Sequence, residues 1–255
     1  MSSQTPRWPH DPATSDTPIA TSAREVQELA ASSDTVPILD ARISVCRACP
    51  RLVAWREEVA VQKRRAFIDD EYWGRPIFGF GPVDARVVIV GLAPAAHGGN
   101  RTGRIFTGDE SGNWLFASLN RLGLARTGTS TSVFDDQALI NTRLLAAVRC
   151  APPDNAPTTL ERDTCRPWLG RELALLTEAK VYVALGAFAW TSLLATLEPI
   201  PKPKPKFAHG ARVDLGDGRF LLASYHPSQQ NTFTGRLTEE MLDEVLGAAA
   251  SLVTR

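Results

Sequence analysis

The run Arg86-Val87-Val88-Ile89-Val90-Gly91 narrows the possible folds more than any other stretch of this chain. Its four consecutive β-branched residues leave no polar face, so a strand built from them has to be covered on both sides. Three more short apolar runs, Leu144–Val148, Val181–Leu185 and Phe220–Ser224, read as strands of the same kind. Between and after them apolar residues recur at helical spacing, over 113–122, 166–176, 188–197 and 237–252. Strands alternating with helices predict a three-layer α/β/α fold around a central, mostly parallel, four-stranded sheet. A further helix is predicted over 51–65, ending in the basic cluster Lys63-Arg64-Arg65.

With 255 residues the chain can bury a full core, and its formal net charge of +0 leaves room for a local basic surface. No run of about 18 uncharged apolar residues occurs, so no membrane span is expected. Residues 1–35 are rich in Ser, Thr, Pro, Asp and Ala and are expected to form a disordered or loosely packed extension before a single domain over 36–255. The alternating Pro and Lys of residues 199–206 predict an extended segment.

The chain has four cysteines, a Cys46-Arg-Ala-Cys49 pair and two distant partners, Cys150 and Cys165. Four thiolates so arranged suit a structural zinc or an iron–sulfur cluster, and ligand softness does not separate the two. Disulfides are disfavoured because no secretory apolar segment opens the chain, which reads as a cytoplasmic protein. Cysteines that are simply buried or free are the plain alternative.

Three polar loops leave the carboxyl ends of the predicted strands, where ligands bind in open sheets. They span 92–112, 150–159 and 225–236. The first contains Gly91-Leu92-Ala93-Pro94, His97-Gly98, Asn100-Arg101-Thr102-Gly103-Arg104 and Phe106-Thr107-Gly108-Asp109. It is neither a phosphate-binding loop nor a dinucleotide fingerprint. The second holds Arg149-Cys150-Ala151-Pro152-Pro153 with Asn155, and the third Tyr225-His226 with Gln230-Asn231-Thr232 and Gly235-Arg236. In these motifs, and in their order, the chain resembles the uracil-DNA glycosylase superfamily, in particular its type 5 branch of prokaryotic iron–sulfur enzymes. The resemblance covers about residues 44–250.

The resemblance implies a [4Fe-4S] cluster on Cys46, Cys49, Cys150 and Cys165. It implies a monofunctional glycosylase that hydrolyses the base–sugar bond of a nucleotide turned out of the DNA stack. Substrate-binding positions would be Gly91, Ala93, Phe106 as the stacking ring, Asn155 and His226, the last donating to the base as negative charge builds on it. Two positions depart from the related type 4 pattern. Leu92 stands where an acidic residue activates water, and Ala146 where an asparagine reads the uracil edge. Asp109 is the candidate replacement carboxylate, which makes Asp109, Asn155 and His226 the candidate catalytic set. Loss of the asparagine predicts a wider choice of bases, with uracil joined by hypoxanthine and other deaminated or modified bases. Arg101, Arg104, Arg149 and Arg236 are candidate phosphate contacts, and Gln230, Asn231 and Phe233 candidates for entering the helix. The expected partner is double-stranded or single-stranded DNA carrying such bases, bound by a monomer. A non-catalytic binder of damaged DNA and a zinc-stabilised hydrolase of small nucleosides are the competing functions.

Overall fold

The computed structural model describes residue 8, residues 11–200 and residues 202–253. Five strands, β1 (Val87–Gly91), β2 (Thr142–Ala146), β3 (Val181–Leu185), β4 (Arg212–Gly216) and β5 (Arg219–Ser224), form one sheet in the order β2-β1-β3-β5-β4. β1 runs parallel to β2 and β3, and β3 parallel to β5. Only β4 is antiparallel, joined to β5 through Asp217 and Gly218, both at positive φ. The sheet therefore has one strand more than the four expected. Asp-Gly is a strong hairpin signal, but β4 has only Val213 and Leu215 facing inward, too short an alternation to stand out.

The helices before the sheet are α1 (Ala23–Ala31), α2 (Val36–Ser44) and α3 (Pro50–Gln62). The short α4 (Gly99–Thr102) and α5 (Glu110–Arg121) follow β1, α6 (Thr159–Leu175) follows β2, and α7 (Ala187–Leu194) follows β3. The short α8 (Gln229–Phe233) and α9 (Glu239–Val253) follow β5. Period-two side-chain alternation divides each central strand between two cores. Val87, Ile89, Val181 and Val183 pack with Leu115 and Leu119 of α5 and Leu242 and Leu246 of α9. Val88, Val90, Tyr182 and Ala184 pack on the opposite face with Leu169 and Leu173 of α6 and Trp190 and Leu193 of α7. Each face is covered by a helical layer, as the uninterrupted Val/Ile run demands.

The expectation of loose packing through residue 35 is corrected where residues are described; its part on residues 1–7, 9 and 10 lies outside them. Ser22 caps α1 by accepting from Glu25 N at 3.2 Å. Val26 and Ala30, one helical turn apart, then pack with Leu39, Ile43 and Trp168. Average composition conceals this stripe because the bulk comes from Trp168, far along the chain.

α6 also begins earlier than expected. Pro167 reads as a helix start, but a capping box between Thr158 and Glu161 opens the helix at Thr159 and leaves the proline inside it. That extension places Cys165 and Trp168, three residues apart, on one helical face. A buried ion network fastens α6 to the sheet: Glu172 accepts from Arg143 Nε of β2 at 2.8 Å and from Arg149 Nη2 at 2.7 Å. Asp40 of α2 joins through Arg143 at 3.3 Å, and burial with the nearby Glu172 charge pushes its pKa up to about 7. Among the described residues no helix is long and apolar enough to cross a membrane.

Candidate functional site

The first loop folds back onto the strand that launches it. A Cβ at Gly91 would stand 2.6 Å from Phe106 Cζ, so only glycine lets the ring rest on the end of β1. Phe106 has φ of +52°, a conformation that costs a non-glycine residue about 1–3 kcal/mol unless its surroundings impose it. They do so here. Buried Thr107 Oγ1 lies 2.7 Å from Ser130 Oγ and accepts from Arg104 Nε at 3.0 Å. Arg104 Nη2 donates to Ser130 Oγ at 2.7 Å and to Ser132 O at 2.6 Å, and its guanidinium pairs with Asp135.

His226 arrives from the third loop, two residues beyond β5. Its ring centroid is 6.0 Å from that of Phe106, with the planes inclined by 31°. Asn231 Nδ2 donates to His226 O at 2.8 Å and fixes the turn that carries the imidazole. His226 keeps some accessible surface, yet dense protein surroundings desolvate it and lower its pKa to about 4. At neutral pH the ring is therefore uncharged, with one N–H to donate.

Asp109 caps α5, its Oδ1 accepting from Gly112 N at 2.9 Å. A Cβ at Gly98 would lie 2.0 Å from Asp109 Oδ2, so the carboxylate is pressed against bare backbone. Burial raises the Asp109 pKa, opposed by the amides of Gly112 and Ser111 at the helix start. Arg101 secures the neighbouring residues: Nη2 donates to Gly108 O at 3.1 Å, Nε to His97 O at 2.8 Å, and Nη1 pairs with Asp70 at 2.6 Å.

The structure thus brings Gly91, Phe106 and His226 together and holds Asp109 in the same loop. Ala93 packs beside the Cys150 cluster. Asn155 is exposed on the turn beyond β2, with φ of +53° and no side-chain hydrogen bond among the described residues. Gln230, Phe233 and Arg236 are exposed around α8, with Arg236 over the Tyr225 ring at 4.7 Å. Three arginine expectations are corrected. Arg101, Arg104 and Arg149 are not surface phosphate contacts, because their side chains are 12%, 8% and 2% exposed and paired with protein carboxylates. Arginine beside a polar loop reads as exposed in sequence, and only the fold reveals the partners Asp70, Asp135 and Glu172. The same separation hides Tyr72, whose hydroxyl lies 3.0 Å from His97 Nδ1.

The four cysteines line one cavity, between the turn before α3, the segment after β2 and the middle of α6. Burial pushes Cys150 up to about 11 and, helped by Cys150 and Cys46, Cys49 up to about 12; Cys46 and Cys165 are raised too. Arg56 Nη1 donates to Cys150 Sγ at 2.9 Å, and the Arg149 amide to Cys165 Sγ at 3.4 Å. Around the cavity, Arg56 Nε and Arg149 Nε and Nη1 are buried without an acceptor among the described residues, and the buried Trp168 indole faces the Cys46 sulfur. Unmet donors facing a sulfur-lined space fit an anionic, thiolate-bound group. No three His, Cys, Asp or Glu side chains among the described residues converge as they would around a single metal ion.

Comparison with known proteins identifies the family. Residues 78–250 match the profile of the uracil DNA glycosylase superfamily. A type-5 uracil-DNA glycosylase of Mycobacterium tuberculosis is 54% identical over 225 residues, covering 88% of this chain and 84% of the relative. The type-5 uracil-DNA glycosylase of Thermus thermophilus is 53% identical over 210 residues, 82% of this chain and 94% of its own. That of Pyrobaculum aerophilum is 46% identical over 210 residues, 82% and 90% of the two chains.

Proposed function

We infer the reaction from the premise that the chain belongs to the uracil DNA glycosylase superfamily, as a type-5 member: it removes uracil from DNA and leaves an abasic site. The Phe106–His226 pair, with the Phe106 ring seated on Gly91, carries the reading of how it does so. A uracil turned out of the stack rests on the Phe106 ring. As the bond from C1′ to N1 breaks, its electron pair stays with the base, and the neutral His226 donates its N–H to the oxygen where that charge collects. The sugar becomes cationic in the same step.

Asp109, in its carboxylate form, faces that cation and orients the attacking water. The water oxygen bonds to C1′ and its proton passes to the carboxylate. The Gly112 amide and the Gly98 backbone support the role by fixing the rotamer of Asp109 before substrate arrives. Asn155 is proposed to reach the base or the water from the second loop once DNA is seated. Gln230, Asn231, Phe233 and Arg236 are proposed to meet the DNA, with exposed Phe233 filling the gap left by the base.

Neither Leu92 nor Ala146 offers a side-chain polar contact, so the pocket is proposed to accept hypoxanthine and other deaminated bases beside uracil. Cys46, Cys49, Cys150 and Cys165 are proposed to hold a [4Fe-4S] cluster. A cluster spreads its ligands over several irons, and four thiols lining one cavity suit it. When bound it supplies a cross-link between the N-terminal helices, the second loop and α6. The protein is proposed to act as a cytoplasmic monomer on double-stranded and single-stranded DNA.

The test is single-turnover excision from duplexes and single strands carrying uracil, hypoxanthine, xanthine or an etheno base, followed by alkaline cleavage. Release of uracil and at least one other base is expected. Inactivity on every lesion but uracil removes the broad-pocket reading, and binding without abasic sites would favour a non-catalytic damage binder.

A further inference from the structure

The walls of the cysteine cavity carry more positive charge and more N–H groups than the described residues satisfy. Arg56 is only 1% exposed, yet its nearest carboxylate is Glu57 at 3.9 Å. Arg47 already binds both oxygens of that carboxylate. Arg149 has one partner, Glu172, and shares it with Arg143. Arg56 Nε and two nitrogens of Arg149 are buried without acceptors among the described residues, the buried Trp168 indole N–H has only the Cys46 sulfur to face, and all three side chains line the cavity. Burying a cation or a donor in this state opposes folding. Neutral thiols are weak acceptors and relieve it little, whereas an anionic sulfur centre would supply both charge and acceptors.

We propose that Arg56, Arg149 and Trp168 are positioning and charge-compensating residues for the cluster, donating N–H groups to its sulfur atoms, with Arg56 supplying its main counter-charge. The proposal rests on the reading that the four cysteines hold a [4Fe-4S] cluster. Arg56 already shows the contact in part, through Nη1 to Cys150 Sγ at 2.9 Å and Nη2 to Cys46 O at 3.0 Å. One guanidinium thereby joins ligands from two distant parts of the chain. Hydrogen bonds and nearby positive charge stabilise the extra electron of a reduced cluster, so these groups raise its potential as well as retain its iron.

Three variants separate charge from packing. Arg56→Lys keeps the charge, Arg56→Met keeps most of the volume without it, and Trp168→Phe removes the N–H while leaving a ring. Iron and acid-labile sulfide are first counted in the anaerobically purified full chain. Their absence from the wild-type protein overturns the cluster reading itself. With iron and sulfide present, Arg56→Met is expected to lose iron to a chelator about tenfold faster than wild type. Arg56→Lys should recover most of that loss, and voltammetry should place Arg56→Met and Trp168→Phe below the wild-type midpoint. Equal iron release from the lysine and methionine variants, or an unmoved midpoint in Trp168→Phe, overturns the proposal. If Arg56→Met does not fold, the Trp168→Phe midpoint decides alone.

Discussion

The two polar centres of this molecule satisfy their hydrogen bonds in opposite ways. Around Phe106 and Asp109, the protein closes its own network: Arg104, Thr107, Ser130 and Asp135 serve one another, and Asp109 is capped by Gly112. Around the cysteines, Arg56 and Arg149 hold buried donors without an acceptor among the described residues, and the Trp168 indole faces the Cys46 sulfur. The first region closes its own hydrogen bonds and is the proposed seat of a substrate that comes and goes. The second is proposed to hold a group that stays. The contrast separates preorganisation for catalysis from a structural debt settled by a permanent ligand.

The sharpest way to break this contrast is Asp109→Asn. Asparagine caps helices as well as aspartate, so melting should be unchanged while single-turnover excision falls by about a thousandfold. A rate within tenfold of wild type would remove Asp109 from the water-activating role. His226→Ala is expected to cost about a hundredfold. In the wild type the His226 contribution should be level through neutral pH and change only as pH approaches about 4, where the ring gains its proton and charge. Stability should already fall above that pH. The unfolded imidazole, at the ordinary value of 6.5, takes up its proton first, so stability is lost as pH falls from there toward about 4. Chemical denaturation across that range checks the sign, and a His226→Gln variant should flatten the slope.

On the other side of the comparison, Cys165→Ser should remove iron and lower Tm by several degrees, with the rate per folded molecule changing less than about tenfold. A collapse of the rate without loss of Tm would mean that the two centres are not separable. The smallest effects distinguish the arginines. Arg104→Ala should cost about 3 kcal/mol of stability by stranding Asp135 and the Ser130 loop. Arg236→Ala should leave stability alone and reduce the slope of log affinity against log salt by about one.

How far the sequence discloses all this depends on where each side chain finds its partner. β3 is observed over Val181–Leu185, as its apolar run predicts, because such a strand needs only neighbours on both faces. β2 begins two residues before the predicted Leu144, since the polar Thr142 and Arg143 are buried in it. Arg143 can be there only because Glu172 on α6 meets it, a partner that local pattern does not reveal. The loops that form the site are legible through their glycines and through Phe106, Asp109 and His226. The supports are not: Gly98 under Asp109, Ser130 under Thr107 and Asn231 under His226 declare their roles only when the chain is folded.

The placement of the cysteines also sets a timetable for biosynthesis. Cys46 and Cys49 leave the ribosome before the first strand, whereas the rest of their enclosure, from Cys150 to Trp168, emerges only after β2. Until then two soft nucleophiles are open to oxidants and stray metals. A cell that makes this protein has an interval to guard, and its length is set by translation speed.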